Sequence, residues 1–380
     1  MINNILINVG YDDIIKPNLY NYNIEPDWNL VSKTNITTLL GNQLGNFKSN
    51  SVKYYIDNNI NFIYPIILFD NNLFKNYETI DLDVELIECI KNKQCRIVFV
   101  YILEGYFNNT NWINNLCQKY EFSKDDIILI TSNLIDFNNC NFTLIPYNYF
   151  GNHIQFLSIS KLDKIGLKYY KNNYNKFLNN YNKLHFLCFN GIPRLNRILM
   201  FEELNQNEKL KGKSITTLRS IDKNYYYDVP TWENQKIGGG ARLNIQVHLD
   251  CFINIVTETL FDVDSIFISE KTYKPIYLCQ PFIIFGNPHT LKKLKELGYK
   301  TFEKWWDESY DVELNINKRF DKIVNILEQI SEWDMNKCFK IKKEMQDILV
   351  HNYKHMFKTD DISNLFNILK TDINNKKSLI

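Results

Sequence analysis

The sequence predicts an α/β protein of two Rossmann-like domains facing a cleft, closed by C-terminal helices. Length is the first reason: at 380 residues the chain exceeds what one hydrophobic core usually organises. The second is pattern. Apolar runs bounded by turn residues alternate with helical periodicity in two successive stretches, and alternation of that kind builds parallel sheets covered by helices. Composition is the third: 45% hydrophobic and 23% charged residues describe a globular chain.

In the first stretch, residues 4–9, 62–69, 96–103, 127–131 and 142–146 read as strands, and 83–92 and 110–120 as helices. A Lys- and Asn-rich segment, 161–183, reads as a helix and linker. The second stretch opens with a strand at 185–189, the turn Asn190-Gly191 and a helix over 194–204. In that helix Ile198, Phe201 and Leu204 recur at three-residue spacing. A strand at 249–256, a helix at 270–279, a short strand at 282–285 and a helix at 290–297 stopped by Gly298 follow. Helical segments at 317–332, 335–356 and 360–370 end the chain. The predicted division is an N-terminal Rossmann-like domain over 1–175, a C-terminal Rossmann-like domain over 184–350, and a C-terminal helix and tail over 351–380 that pack on the N-terminal domain.

The formal charge of +1 gives no sequence-wide field for nucleic acid or anionic lipid. No run approaches the roughly 18 apolar residues of a membrane span, and the first ten residues lack the basic region of a signal peptide. The eight cysteines contain no CxxC pair and mostly sit in apolar runs, which reads as reduced, buried thiols in a cytoplasmic protein. Asn, Lys, Ile, Tyr and Phe are inflated and Ala241 is the only alanine, the signature of an AT-biased genome. Only six of the 44 basic residues are arginine, yet Arg194, Arg197, Arg219 and Arg242 fall in one stretch. Where lysine is the default cation, such clustering suggests a need for the planar fork that grips phosphate.

Two segments carry chemistry. In Leu184–Leu204 a strand, a tight turn and a helix bring Arg194 and Arg197 near a helix start, where free N–H groups and the helix dipole favour anions. In Cys251–Gly286, Ser269 is a natural N-cap that puts Glu270 and Lys271 in a first turn. Lys271 suits a diphosphate oxygen and Glu270 suits ribose hydroxyls. Pro275 implies a kink or a late helix start.

Together these segments resemble the donor domain of the α1,3-fucosyltransferases, which have the GT-B fold. Arg197, Phe201, Glu202 and Leu204 match that family's Arg-x-x-x-Phe-(Asp/Glu)-x-Leu. Phe252 leads into Val256-Thr257-Glu258 as in its strand end, Phe267-Ile268-Ser269-Glu270-Lys271 matches its aromatic-x-(Ser/Thr)-Glu-Lys, and Pro281–Gly286 matches its closing strand. The resemblance implies a nucleotide-sugar glycosyltransferase. Arg197 and Lys271 would bind the donor diphosphate with Arg194 and Arg242 beside them, Glu270 the ribose, and Phe267 would lie near the base with Ser269 and Glu258. The chain departs from the family at Asp262-Val263-Asp264 and at Lys274-Pro275. The stretch from Ser269 through Gly286, with Gly298–Phe302 and Asp307–Asp311, also resembles a group of uncharacterised phage and large-virus proteins, which implies a host cytoplasm.

In the resembling family a Glu after an N-domain strand serves as base, and Glu104, directly after the apolar run 97–103, is its match here. No cofactor is required of such an enzyme. Asp-x-Asp pairs at 81–83 and 262–264 are the sequence's candidates for a divalent metal. Gly238-Gly239-Gly240 reads as an anion nest or a flexible loop, and His351 and His355 share a helix face without a third ligand. The expected partners are a nucleotide-sugar donor and a glycan or other hydroxyl acceptor, with no membrane and no nucleic acid. Two alternatives stand beside this reading: a non-catalytic nucleotide- or glycan-binding protein, and a glycosyltransferase acting on modified DNA bases.

Overall fold

The computed structural model describes residues 7–11, 47–67, 82–101, 111–134, 142–148, 151, 174–218, 245–262 and 265–358. The chain divides into two compact units, residues 1–149 with 360–380, and residues 150–359.

The first unit carries strands β1 (Ile7–Tyr11), β2 (Phe47–Ser51), β3 (Phe62–Ile67), β4 (Cys95–Tyr101), β5 (Ile127–Thr131) and β6 (Thr143–Pro146). They form one six-stranded sheet of order β2-β1-β3-β4-β5-β6, and every neighbouring pair is parallel. Every residue of β4 and β5 is buried, as strands inside a parallel sheet require. Helices α1 (Val52–Asp57), α2 (Val84–Lys91) and α3 (Asn111–Tyr120) supply apolar faces to one side of it. Leu86, Ile90, Trp112, Ile113 and Leu116 form one core with Ile97, Phe99, Ile127 and Leu129. Trp112 meets Phe99 edge-on, ring centroids 4.8 Å apart, in the arrangement aromatic quadrupoles favour. The N-cap of α2 is Asp83, which accepts from the Glu85 N–H at 2.9 Å. Strand β2, of sequence FKSNS, was not expected; one apolar residue in five gives no strand periodicity.

In the second unit β7 (Leu184–Phe189), β8 (Ser214–Thr217), β9 (Cys251–Thr257) and β10 (Phe282–Phe285) form a parallel sheet of order β10-β9-β7-β8. The α/β class and the parallel sheets expected from the alternation are what the structure shows. Eight helices are described here: α4 (Tyr174–Asn179), α5 (Leu195–Gln206), α6 (Ile245–Asp250), α7 (Glu270–Tyr277), α8 (Thr290–Glu296), α9 (Ile316–Ser331), α10 (Met335–Glu344) and α11 (Gln346–Met356). Helix α5 packs on β8 and β9, and α7 packs on β9, β10 and α11.

Three local expectations need correction. The strand predicted over 249–256 begins at Cys251, because Leu249 and Asp250 close α6; Asn180 and Asn182 donate to the Leu249 carbonyl at 2.6 and 2.7 Å. The single helix predicted over 335–356 is two, parted at Met345 with φ −78° and ψ −5°. Strand β8 lies in the polar run SITT, which carried no apolar alternation.

His351 and His355 serve the fold. Their Nε2 atoms lie 2.9 and 2.7 Å from the Gly298 and Leu297 carbonyls, at the C-terminus of α8. Gly298 has φ +91°, and a Cβ there would meet the His355 ring at 2.6 Å, so both backbone and packing select glycine. Trp306 is buried on Phe302. Seven cysteines are described, all buried and free. No helix among the described residues is long and apolar enough to cross a membrane.

Candidate functional site

The C-terminal ends of β7, β9 and β10 lie side by side in the sheet, and in open α/β sheets that edge is where ligands bind. Beyond β9 stands Glu258, 1% exposed. Its Oε1 accepts from the Ser269 N–H at 3.0 Å and the Thr272 hydroxyl at 2.7 Å. Its Oε2 accepts from the Ser269 hydroxyl at 2.6 Å and the Thr259 N–H at 3.2 Å. Four donors fill the four lone-pair directions of a carboxylate. The sequence placed Glu258 near ribose or base; in the structure its carboxylate fixes the loop to the start of α7. Gly286, at the end of β10, permits this approach, since a Cβ there would lie 3.2 Å from the Glu258 Cβ.

Ser269 is the N-cap, with extended φ −90° and ψ 178°, and its hydroxyl accepts from the Lys271 N–H at 3.3 Å. Helix α7 starts at Glu270 with Pro275 inside it, so the late start expected from the proline does not occur. Pro275 has no N–H to give to the Lys271 carbonyl, and the helix ends two residues later.

Four cations gather around Thr259 and the two carboxylates. Arg194 donates from Nη1 to the Thr259 carbonyl at 2.7 Å, and Lys271 Nζ lies 3.4 Å from the Thr259 hydroxyl. Lys271 Nζ also pairs with Glu270 at 3.0 Å. Arg197 is 5% exposed and donates from Nη1 to the Ile192 carbonyl at 2.8 Å; its Nε has no hydrogen-bond partner. Burial lowers its pKa, with Arg194 adding and Glu258 and Glu270 opposing, yet guanidinium stays charged at neutral pH. Burial alone would raise the Glu270 carboxyl, but Lys271 and Lys274 outweigh it and hold it below the usual carboxylate range. Lys274, half-buried one turn after Lys271, is pulled down to about 8 by burial, with Glu270 opposing and Lys271 assisting. Among the described residues, Arg194, Arg197, Lys271 and Lys274 thus face Glu258 and Glu270, and the excess of positive charge suits an anion bearing two or more negative charges.

The structure accordingly brings together Arg194, Arg197, Glu258, Ser269, Glu270 and Lys271. Arg194 is the N-cap residue of α5, in extended conformation, and not a member of its first turn. Phe267 is buried, which leaves little ring surface for a base. Glu104 and Arg242 lie outside the described residues, as do Gly238–Gly240, Asp81 and Asp264. Among the described residues no group of three His, Cys, Asp or Glu side chains is placed to hold a metal ion. Sequence reasoning missed Lys274, whose spacing of four from Glu270 and three from Lys271 puts it on the same helix face.

No protein-family model matches the sequence, and no curated protein sequence matches it either. Among solved structures it is similar to an α1,3-fucosyltransferase solved with GDP, at 12% identity over 94% of this chain and 92% of that one, TM-score 0.40. It is also similar to the wall teichoic acid polymerase TagF, at 10% identity over 86% of this chain and 85% of that one, TM-score 0.28. Neither likeness defines the activity of this chain.

Proposed function

We propose that this protein is a glycosyltransferase that moves a sugar from a nucleoside diphosphate donor to an acceptor hydroxyl. The observation that carries the reading is the buried Arg197 guanidinium, its Nε without a partner among the described residues, close to Arg194 and Glu270 at the carboxyl edge of a parallel sheet. A buried donor left unsatisfied is costly, and a phosphate oxygen would satisfy it. The sequence resemblance supplies the rest of the reading. Glu270 accepts ribose hydroxyls. Glu104 takes the proton from the acceptor hydroxyl, whose oxygen then bonds to the sugar's anomeric carbon as the bond from that carbon to the diphosphate oxygen breaks. The nucleoside diphosphate departs with that electron pair, and Arg197 and Lys271 neutralise it, a form of stabilisation typically worth a few kcal/mol. Direct displacement inverts the anomeric centre.

Thermal-shift titration with GDP, UDP, CDP and ADP tests the site. A diphosphate at 100 times its Kd stabilises by about 2.7 kcal/mol. If none of the four moves Tm, the reading fails. Slow hydrolysis of a sugar donor without acceptor then marks an enzyme; binding with no turnover of any donor marks a nucleotide-binding protein instead.

A further inference from the structure

Lys271 has two claimants. It is paired with Glu270 at 3.0 Å, and the proposed function assigns it to a diphosphate. When Lys271 turns to the phosphate, Glu270 is left as a carboxylate only 12% exposed, and a charge so placed without a counter-ion is strongly unfavourable. Lys274 follows Glu270 by four residues on α7, the spacing and order, acid before base, that best pair across a helical turn. Its Nζ has no hydrogen-bond partner among the described residues.

We propose that Lys274 is the relief counter-ion of Glu270: it takes over the carboxylate when Lys271 moves to the donor diphosphate. The inference rests on the diphosphate reading of the site. In this role Lys274 is a positioning residue. It keeps Glu270 ionised and aimed at the ribose while freeing Lys271, and it need not touch the nucleotide.

The surroundings give the exchange a pH signature. Lys274 is faced by Glu270 and Lys271 of its own helix and by His248 of α6. Burial, against the Gln280 hydrogen bond and with Lys274 assisting, pushes His248 down to about 4, so it adds no charge near neutrality. On the β9 side the Glu258 carboxylate is filled by Ser269, Thr259 and Thr272, and α11 brings aromatic rings against Tyr277. In the free protein the ammonium titrates near 8. With Lys271 turned to the anion and Glu270 paired to Lys274, the ammonium gains its counter-charge and its pKa rises. The complex then holds more protons than the free protein, so affinity falls as pH rises above about 8.

The experiment is calorimetric titration with GDP, UDP, CDP and ADP at pH 8, in buffers of different ionisation enthalpy, on wild type, Lys274→Met, Lys274→Arg and Lys271→Ala. For a nucleotide the wild type binds, uptake of about half a proton is expected. Lys274→Met should bind about tenfold more weakly, take up less by that half proton, and keep its Tm. Lys274→Arg should retain affinity and lose the proton uptake. Wild-type affinity or wild-type proton uptake in Lys274→Met would overturn the exchange while leaving the site intact. Loss of binding in Lys271→Ala with no effect of Lys274→Met would do the same. Failure of the wild type to bind any of the four overturns the diphosphate reading and this inference together.

Discussion

Before β5 in the first unit, Asp126 is 1% exposed and takes the Lys93 ammonium on both oxygens, at 2.6 and 2.7 Å. It also accepts from the Ser123 N–H at 3.0 Å. Arg96 lies close by with Asp125, so two cations meet two carboxylates. After β9 in the second unit, Glu258 is equally buried and equally saturated, but the groups around it are not balanced. Among the described residues Arg194, Arg197, Lys271 and Lys274 stand against Glu258 and Glu270. The first cluster sits at the N-terminal edge of its sheet, the end opposite to the one where ligands bind in open α/β sheets. The second sits at the C-terminal edge and, among the described residues, carries more cations than carboxylates. Buried charge alone does not mark a site; an excess of one sign at the ligand-binding edge of a sheet is what sets the second cluster apart.

That contrast can be broken experimentally, and the largest effect belongs to chemistry. Glu104→Gln should leave nucleotide binding intact and reduce turnover by roughly 10²–10⁴-fold, with loss of the acidic limb of the pH profile. Near-normal turnover would place the base elsewhere. Next comes Glu258→Ala, which strips the acceptor from three buried donors and one half-buried one and should lower stability by about 3 kcal/mol or more in urea unfolding. A variant as stable as wild type would show that Glu258 does not fix the loop. Arg197→Ala should weaken the tightest nucleoside diphosphate by about 10- to 100-fold with little change in Tm; an unchanged Kd would leave the unpartnered Nε without a ligand. Asp126→Ala should cost about 1–2 kcal/mol of stability through the lost cap and ion pair. It should leave nucleotide affinity unmoved, and any effect there would contradict the division between the two clusters.

Much of the second unit was legible because its local rules agree. Ser269 before Glu270-Lys271 is the N-cap the spacing implied, and Gly298 stops α8. The two parallel sheets followed from apolar runs such as β4 and β9, which are buried throughout. What sequence could not give was demand. Nothing in Glu258 distinguishes a ribose contact from a carboxylate already holding four donors; only the coordinates of Ser269, Thr259 and Thr272 do. Lys274 reads as a departure from the resembling family, and its helix position acquires meaning only when Lys271 is seen tied to Glu270. Strands β2 and β8 were invisible because polar strands have no period-2 signature, and their pairing is set by neighbours distant in sequence.

The segment from Thr259 to Ile268 has no helix or strand among its described residues, yet side chains from three other elements hold its backbone carbonyls. Arg194 takes Thr259, the buried Arg319 of α9 takes Phe261, and Asn287 takes Ser265 at 2.6 Å. Fixing a residue's backbone costs about 1–2 kcal/mol of conformational entropy, and here that cost falls on folding, before any nucleotide arrives. For these described residues the order precedes association, so their share of the heat-capacity change should be that of a rigid pocket, smaller than coupled folding would give. Arg319, which holds the Phe261 carbonyl, would by this logic influence affinity through the unliganded state: once it is removed, the nucleotide must supply the order that the arginine now provides.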